Sequence, residues 1–394
     1  MKPLYKHQER FLARNPDKAL LVWGMGSGKT RAACEWAKLR GRQVLIVCPK
    51  GLCENWRREC EAWGVKHYTI LSKETFKKSC ADYAHKVLIV DEADHFYAPH
   101  FSSQLSKSLR GYIKNRKPHL LMLSATPYRS NAWNIFTAAA LLGIDLNFFK
   151  FKNDFFYEIR MGFRTVPKPK PGTEAKIRAL VGKIGDVFNP EDEFDIPPQI
   201  DEVVHSGESE RQRYAHATNQ EINHIVRFTR DHQIEAGIGV PVVSDNKLEI
   251  IRRYLEEVPK VAVVCRYREQ LATYARVLRE EGHQVFEIHG DVVDRSGVLD
   301  KVEKAEKCVL LLQSATCEGY EAPSVGLMVF ASMDYSYRNY TQMKGRIHRM
   351  NRLKKNVYVH LVAGDCDRAI ASCMEKKQDF DVLKWVKERE SGVV

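Results

Sequence analysis

Residues 20–30 read LLVWGMGSGKT. The apolar run Ala19–Trp23 predicts a short buried strand. It breaks into a glycine-rich turn, Gly24-Met25-Gly26-Ser27-Gly28, and a helical pattern, RAACEWAKLR, follows Lys29 and Thr30. Glycines let successive backbone N–H groups curl round an anion, and a helix start adds the positive end of its dipole. Gly26, Ser27, Gly28, Lys29 and Thr30 are therefore candidate phosphate ligands. Lys29 would neutralise the β- and γ-phosphates, and the Thr30 hydroxyl would ligate Mg²⁺. The string is the short GxGKT form, because Trp23 stands where a longer phosphate-loop pattern has glycine.

The chain has 394 residues, which suits two domains of ordinary size. Hydrophobic residues make up 44% and charged residues 28%, a globular rather than a disordered balance. No apolar run is long enough to span a bilayer, and MKPLYKHQERFLARNP at the start lacks the apolar core of a signal peptide. A cytoplasmic setting is the expectation. The ten cysteines form no CxxC pair, which argues against a zinc site or a disulfide framework and for reduced, mostly buried thiols. The net charge of +12 favours a polyanionic partner, nucleic acid first.

Apolar runs alternate with helical stretches in both halves. The first half has Ala19–Trp23, Val44–Cys48, Tyr68–Leu71, Val87–Val90 and Leu120–Leu123. The second has Val261–Cys265, Val285–Ile288, Cys308–Leu312, Leu327–Phe330 and Val357–Val362. Continuous apolar runs are how buried parallel strands read, so the expected fold class is α/β with two similar lobes of about five strands each. Between them, residues 148–163 are dense in Phe and Lys, VPKPKPG (166–172) predicts an extended exposed segment, and NPEDEFDIPP (189–198) is acidic and turn-rich. The boundary is placed near Pro197, giving lobes 1–196 and 197–394 with an extension over about 148–196. Residues 211–231 read as one helix opening the second half.

Other chemical stations lie at predicted strand ends. Ile89-Val90-Asp91-Glu92-Ala93-Asp94 is an apolar strand ending in acids, and the carboxyl ends of strands face the ligand crevice of an open α/β sheet. There Asp91 would hold the Mg²⁺ shell and Glu92 would polarise an attacking water. Ser124-Ala125-Thr126 ends another strand; Ser124 and Thr126 are candidates for sensing the γ-phosphate. Gln342, Arg346 and Arg349 share one helical face if 340–349 is a helix, where the arginines could stabilise transition-state charge. Gln8, ahead of the first strand, has an amide able to read an adenine edge, or is an ordinary helix glutamine.

Taken in order, these strings resemble the superfamily 2 helicases and translocases over nearly the whole chain. Gln8 matches the adenine-reading glutamine and residues 26–30 motif I. VLIVCPKGLCENWRRE (44–59) is similar to motif Ia, DEAD (91–94) to motif II and SAT (124–126) to motif III. VVCRYREQ (263–270), SATCEGYEAPSV (314–325) and QMKGRIHR (342–349) are similar to motifs IV, V and VI. The tail at Asn55, Trp56 and Glu59, the SATP-x-R segment with Trp133 and the QxxGRxHR string look most like the Swi/Snf-type branch, in a compact phage- or bacterial-type enzyme. Trp23-Gly24, Glu321-Ala322-Pro323 and Asn351-Arg352 depart from that branch's usual residues.

The resemblance implies two RecA-like lobes with ATP and Mg²⁺ in the cleft between them, and movement along DNA coupled to hydrolysis. It implies Lys29, Glu92, Arg346, Arg349 and Gln342 as catalytic residues and Ser124, Thr126 and Gly319 as coupling residues. Candidate DNA contacts are Lys50, Trp56, Arg266, His289 and Thr316, mainly to phosphates. Two alternatives stay open: an RNA-dependent ATPase of the same architecture, and a DNA-binding loading factor whose ATP site is a switch with little turnover.

Overall fold

Every apolar run named above is a parallel strand. The computed structural model describes residues 3–126, 132–161, 164–194, 198–239, 245–316, 320–348 and 355–390. The chain divides into two compact units, Met1–Asp195 and Ile196–Val394.

In the first unit the elements run α1 (Lys6–Arg14), β1 (Lys18–Trp23), α2 (Lys29–Lys38), β2 (Val44–Cys48), α3 (Cys53–Ala62), β3 (Tyr68–Ser72), α4 (Lys73–Ser79), β4 (Val87–Val90), α5 (Gln104–Arg116) and β5 (His119–Ser124). Then come α6 (Ile135–Leu141), α7 (Phe148–Phe155), β6 (Phe156–Met161), β7 (Arg164–Pro169), α8 (Thr173–Ile184) and β8 (Gly185–Phe188). Six strands form one parallel sheet in the order β3-β2-β4-β5-β1-β8. Successive residues of a strand point to opposite faces, and here both faces are covered. Leu20, Val22, Leu45, Val47, Leu88 and Val90 pack under α4–α8 on one side. Leu21, Trp23, Ile46, Cys48 and Ile89 pack under α1, α2 and α3 on the other. That double burial is why these strands read as unbroken apolar runs.

The second unit contains β9 (Gln199–His205), α9 (Glu210–Ala217), α10 (His224–Glu235), α11 (Asn246–Glu257), β10 (Lys260–Cys265), α12 (Arg268–Glu280), β11 (Val285–Ile288), α13 (Arg295–Lys304) and β12 (Cys308–Gln313). It continues with β13 (Leu327–Phe330), α14 (Tyr337–Lys344), β14 (Asn356–Val362), α15 (Asp365–Glu375) and α16 (Val382–Glu390). Its sheet is again six parallel strands, β11-β12-β10-β13-β14-β9. Ala262, Val264, Leu310 and Leu312 line one covered face, and Val261, Val263, Val309 and Leu311 the other. Two parallel α/β units of this kind are the architecture of tandem RecA-like lobes.

Several expectations need correction. Each sheet has six strands rather than about five, because β8 and β9 lie at edges. β8 carries Asp186, and β9 is mostly exposed, so neither has the apolar run that marks a central strand. Residues 166–169 of the Pro-rich segment are extended as expected, and they pair antiparallel with β6 as part of β7. The Phe/Lys-rich stretch packs on the first core through Phe151 of α7 and Phe156 of β6. The single helix expected over 211–231 is two, α9 and α10. Asn223 breaks it by accepting the N–H groups of Ile225 and Val226, and so caps a new helix. The fit of β8 against β1 needs Gly185, where a Cβ would lie 2.2 Å from the Leu20 carbonyl oxygen.

Candidate phosphate and metal site in the first unit

Three strand ends converge on one edge of the first sheet. β4, β5 and β1 are consecutive neighbours, all parallel, so Asp91, Ser124 and the loop after Trp23 leave from the same carboxyl edge. Gly26 and Gly28 adopt φ of 75° and 76°, the left-handed turn that curls the loop before α2 begins at Lys29. Only glycine fits at Gly28, because a Cβ there would also meet Gln8 Nε2 at 2.4 Å. The Lys29 ammonium donates to the Trp23 and Gly24 carbonyls at 2.8 and 3.0 Å. Its charge is thereby held at the mouth of the loop. Thr30, the second residue of α2, is half-buried.

The loop is braced from beneath by α1. Gln8 is fully buried; its Nε2 donates to the Gly28 carbonyl at 3.0 Å and its Oε1 accepts the Tyr5 N–H at 2.9 Å. The amide expected to read an adenine edge thus also ties the N-terminal helix to the loop. His7, which sequence reasoning passed over, does the same: its Nε2 lies 2.9 Å from the Ser27 carbonyl. A carbonyl oxygen only accepts, so that nitrogen carries the proton. Desolvation lowers the His7 pKa, and the ring stacks on Phe188 at 3.6 Å between centroids. Trp23, where a longer phosphate-loop pattern has glycine, is fully buried and donates its indole N–H to Asp186 of β8 at 2.7 Å. Ser27 is buried, with no hydrogen-bond partner for its hydroxyl among the described residues.

At the end of β4, Asp91 is held from two directions. Its Oδ2 accepts the Trp56 indole N–H at 2.9 Å and its Oδ1 the Glu92 N–H at 2.9 Å. Glu92 sits in the left-handed region at φ 46°, which for a non-glycine residue costs about 1 kcal/mol. Such strain concentrates where a side chain must be aimed. Asp94 is buried, and the Ser124 hydroxyl lies 3.5 Å from it, while the Thr126 N–H donates to Ser124 Oγ at 3.3 Å. The last acid of DEAD therefore joins the β4 and β5 exits, a role that needs the fold to be seen. One carboxylate and one hydroxyl, Asp91 and Thr30, are the hard oxygen donors that Mg²⁺ prefers.

The second-unit candidates fall out differently. α14 ends at Lys344, so Gln342 is helical and buried while Arg346 lies just beyond the helix. Arg346 donates to the carbonyls of Gln342 and Tyr320 at 2.9 and 2.8 Å. Gln342 and Arg346 therefore do not share a helical face, because the helix closes at Gly345. Arg349 and Gly319 lie outside the described residues.

Among the nucleic-acid candidates, Lys50 is exposed on the turn after β2. Arg266 pairs with Asp334 at 3.3 Å and lies 3.7 Å above the Tyr335 ring, and His289 Nδ1 accepts the Asp291 N–H at 3.3 Å. Trp56 and Thr316 require correction as contact residues. Trp56 is fully buried in the α3–sheet core. Thr316 is 7% exposed, and its hydroxyl donates to the Gln313 carbonyl at 2.8 Å. Aromatic and hydroxyl residues in these strings looked available for a ligand, but the core and the backbone took them.

Residues 246–351 match the family model of the helicase conserved C-terminal domain. The ATP-dependent RNA helicase DBP3 of Yarrowia lipolytica is 27% identical over 104 residues, 26% of this chain and 20% of that protein. The dbp3 ATP-dependent RNA helicase of Aspergillus clavatus is 27% identical over 133 residues, 33% of this chain and 25% of that protein. The chain thus spans about a quarter or less of the length of these relatives. Among solved structures, the Sulfolobus solfataricus SWI2/SNF2 ATPase core in complex with dsDNA aligns over 95% of this chain and 91% of its own. The TM-score is 0.42 and the identity 16%. No helix among the described residues is long and apolar enough to cross a membrane.

Proposed function

We propose that this chain is an ATP-driven helicase or translocase acting on DNA, with an ATP-binding lobe at 1–196 and a helicase lobe at 197–394. One geometry carries most weight. The Gly26–Thr30 loop and the Asp91–Glu92 pair leave the same edge of one parallel sheet. The helicase C-terminal match in the second unit supports the same assignment.

Lys29 and the backbone N–H groups of Gly26, Ser27, Gly28 and Lys29 hold the phosphates of ATP, with Gln8 on its base. Thr30 and Asp91 hold the Mg²⁺, which supplies charge neutralisation to the phosphates when bound. Glu92 orients the attacking water. Arg346 and Arg349 add the positive charge that the transferring phosphoryl group needs, and Gln342 donates a hydrogen bond from its amide. Ser124, Thr126 and Gly319 couple nucleotide state to movement. Lys50, Arg266 and His289 contact nucleic-acid phosphates, so binding weakens with salt and is largely independent of sequence. Movement requires that nucleotide bind one conformation better than another.

A second reading, RNA as the substrate, is favoured by the RNA helicases among the matched relatives. ATP hydrolysis measured with single-stranded DNA, duplex DNA, forked DNA and RNA at matched salt separates the two. Strongest stimulation by DNA is the expected result. Stimulation by RNA alone would replace DNA in the proposal, and no turnover with any of them would move the ATP-switch loading factor to the front.

A further inference from the structure

Cys48 ends β2 and Cys53 begins α3, and their Sγ atoms lie 3.6 Å apart. Only Pro49, Lys50, Gly51 and Leu52 separate them. Cys48 is fully buried, whereas Cys53 is half-buried. A disulfide needs a sulfur separation of about 2.05 Å, so closure asks for a movement of about 1.5 Å. That displacement is within the reach of side-chain rotation and a small shift of the turn.

We propose that Cys48 and Cys53 are a peroxide-responsive modification site that closes reversibly to a disulfide. The two thiols divide the chemistry. A hydrogen bond from the Cys48 thiol, opposed by partial burial and helped by Arg57, pushes the Cys53 thiol down to about 7. Cys53 is then the thiolate that meets oxidant. Donating that hydrogen bond, together with burial, keeps Cys48 protonated and out of reach until Cys53 has reacted.

The Cys53 sulfur attacks one peroxide oxygen and the O–O bond breaks. The departing hydroxide takes up the proton lost from the thiol, giving water and a Cys53 sulfenic acid. The Cys48 sulfur then forms the S–S bond and displaces the hydroxyl, which leaves as a second water with the Cys48 proton. Two thiols and one peroxide become one disulfide and two waters, and a thiol reductant reverses the change. A second neighbouring pair, Cys34 and Cys60, is fully buried on both sides and offers oxidant no such entry.

The bond would matter because of what the turn carries. Lys50 lies inside the closed ring, and Trp56 sits one residue short of a full turn further along α3 with its indole on Asp91. Clamping the start of α3 to the end of β2 fixes both. The covalent step does not depend on the ATPase assignment, whereas its effect on turnover rests on it, and the two are read separately.

The test treats the whole protein with one equivalent of hydrogen peroxide, alkylates the remaining thiols and digests it with trypsin without reduction. Cleavage after Lys50 splits the ring, so the disulfide joins peptides 43–50 and 51–57. The expected product is that linked pair, lighter than the sum of the two peptides by two hydrogens and separated by dithiothreitol. Cys53→Ser should abolish it and leave Cys48 reduced, and alkylation of Cys53 in the untreated protein should be half-maximal near pH 7. Peptides 43–50 and 51–57 recovered unlinked would overturn the proposal. So would Cys53 advancing to sulfinic acid beside a Cys48 that stays a thiol. ATP turnover should fall at least threefold on oxidation and recover on reduction. An equal fall in Cys53→Ser would overturn the link to activity while leaving the disulfide to the mass measurement.

Discussion

The indole N–H of Trp56 donates to Asp91 Oδ2 across 2.9 Å, joining helix α3 to the carboxylate at the end of β4. A fully buried indole that orients the carboxylate proposed to hold Mg²⁺ works through position rather than through contact with nucleic acid. Trp56→Phe keeps most of the buried ring and removes the donor. A hydrogen bond to a charged group is worth ~1.5–3 kcal/mol, so ATP turnover should fall about ten- to hundredfold, with a higher Mg²⁺ requirement. Affinity for DNA should not change; a weakened affinity at unchanged Mg²⁺ dependence would return Trp56 to the contact surface.

Gly28 and Gln8 form a second coupled pair. Gly28→Ala places a Cβ 2.4 Å from Gln8 Nε2 and also forces a left-handed φ of 76° on an L residue. Titration with a fluorescent ATP analogue should show affinity lost by more than tenfold. Adding Gln8→Ala removes the clash and leaves the backbone strain of about 1 kcal/mol, so the double variant should bind better than additivity predicts.

The second unit is pinned by a buried ion pair. The Lys247 ammonium donates to Asp367 Oδ2 at 2.6 Å and to the Ala331 carbonyl at 2.7 Å, and both side chains are almost wholly excluded from solvent. The Asp367 carboxyl is pushed up by burial but brought down overall to about 2 by Lys247 and His232. Lys247→Met leaves that buried charge with only His232 and the Ala363 N–H as partners, and breaking such a buried ion pair typically costs ~3–5 kcal/mol. Urea unfolding should show the loss, and the Lys247→Met/Asp367→Leu pair should recover part of it.

Acid should unfasten the β9 edge. Burial would raise the Asp201 carboxyl, but hydrogen bonds from His360, Lys344 and Tyr340 hold it well below the usual carboxylate range. The folded chain therefore favours the ionised form. That stabilisation is complete above the unfolded pKa of about 3.9 and drains away as pH falls toward the folded value. With Asp201 45% exposed, it amounts to about 1 kcal/mol or less. Asp201→Asn should melt below the wild type at pH 7, with the gap narrowing from pH ~4 downward.

What could be read from the residues alone follows from burial. Val44–Cys48 and Leu327–Phe330 are strands with the bounds their apolar runs gave, because both faces of those strands are covered. β9 escaped notice because only Ile200 and Val204 of its seven residues are even half-buried. The glycine turn ahead of α2 was legible because Gly26 and Gly28 have no side chain to disguise it. His7 was not legible as a brace, since its partner is a carbonyl twenty residues away, and a backbone acceptor leaves no mark on sequence. Trp56 misled for a related reason: an aromatic residue in a motif looks the same whether it faces a ligand or holds a carboxylate.

The most direct test is ATP hydrolysis by the wild type and Lys29→Ala, each with and without DNA at fixed salt. The wild type should turn over ATP faster when DNA is added. Lys29→Ala should lose at least a hundredfold in turnover while keeping salt-sensitive DNA binding. Wild-type turnover in Lys29→Ala would contradict the assignment of the Gly26–Thr30 loop as the ATP site.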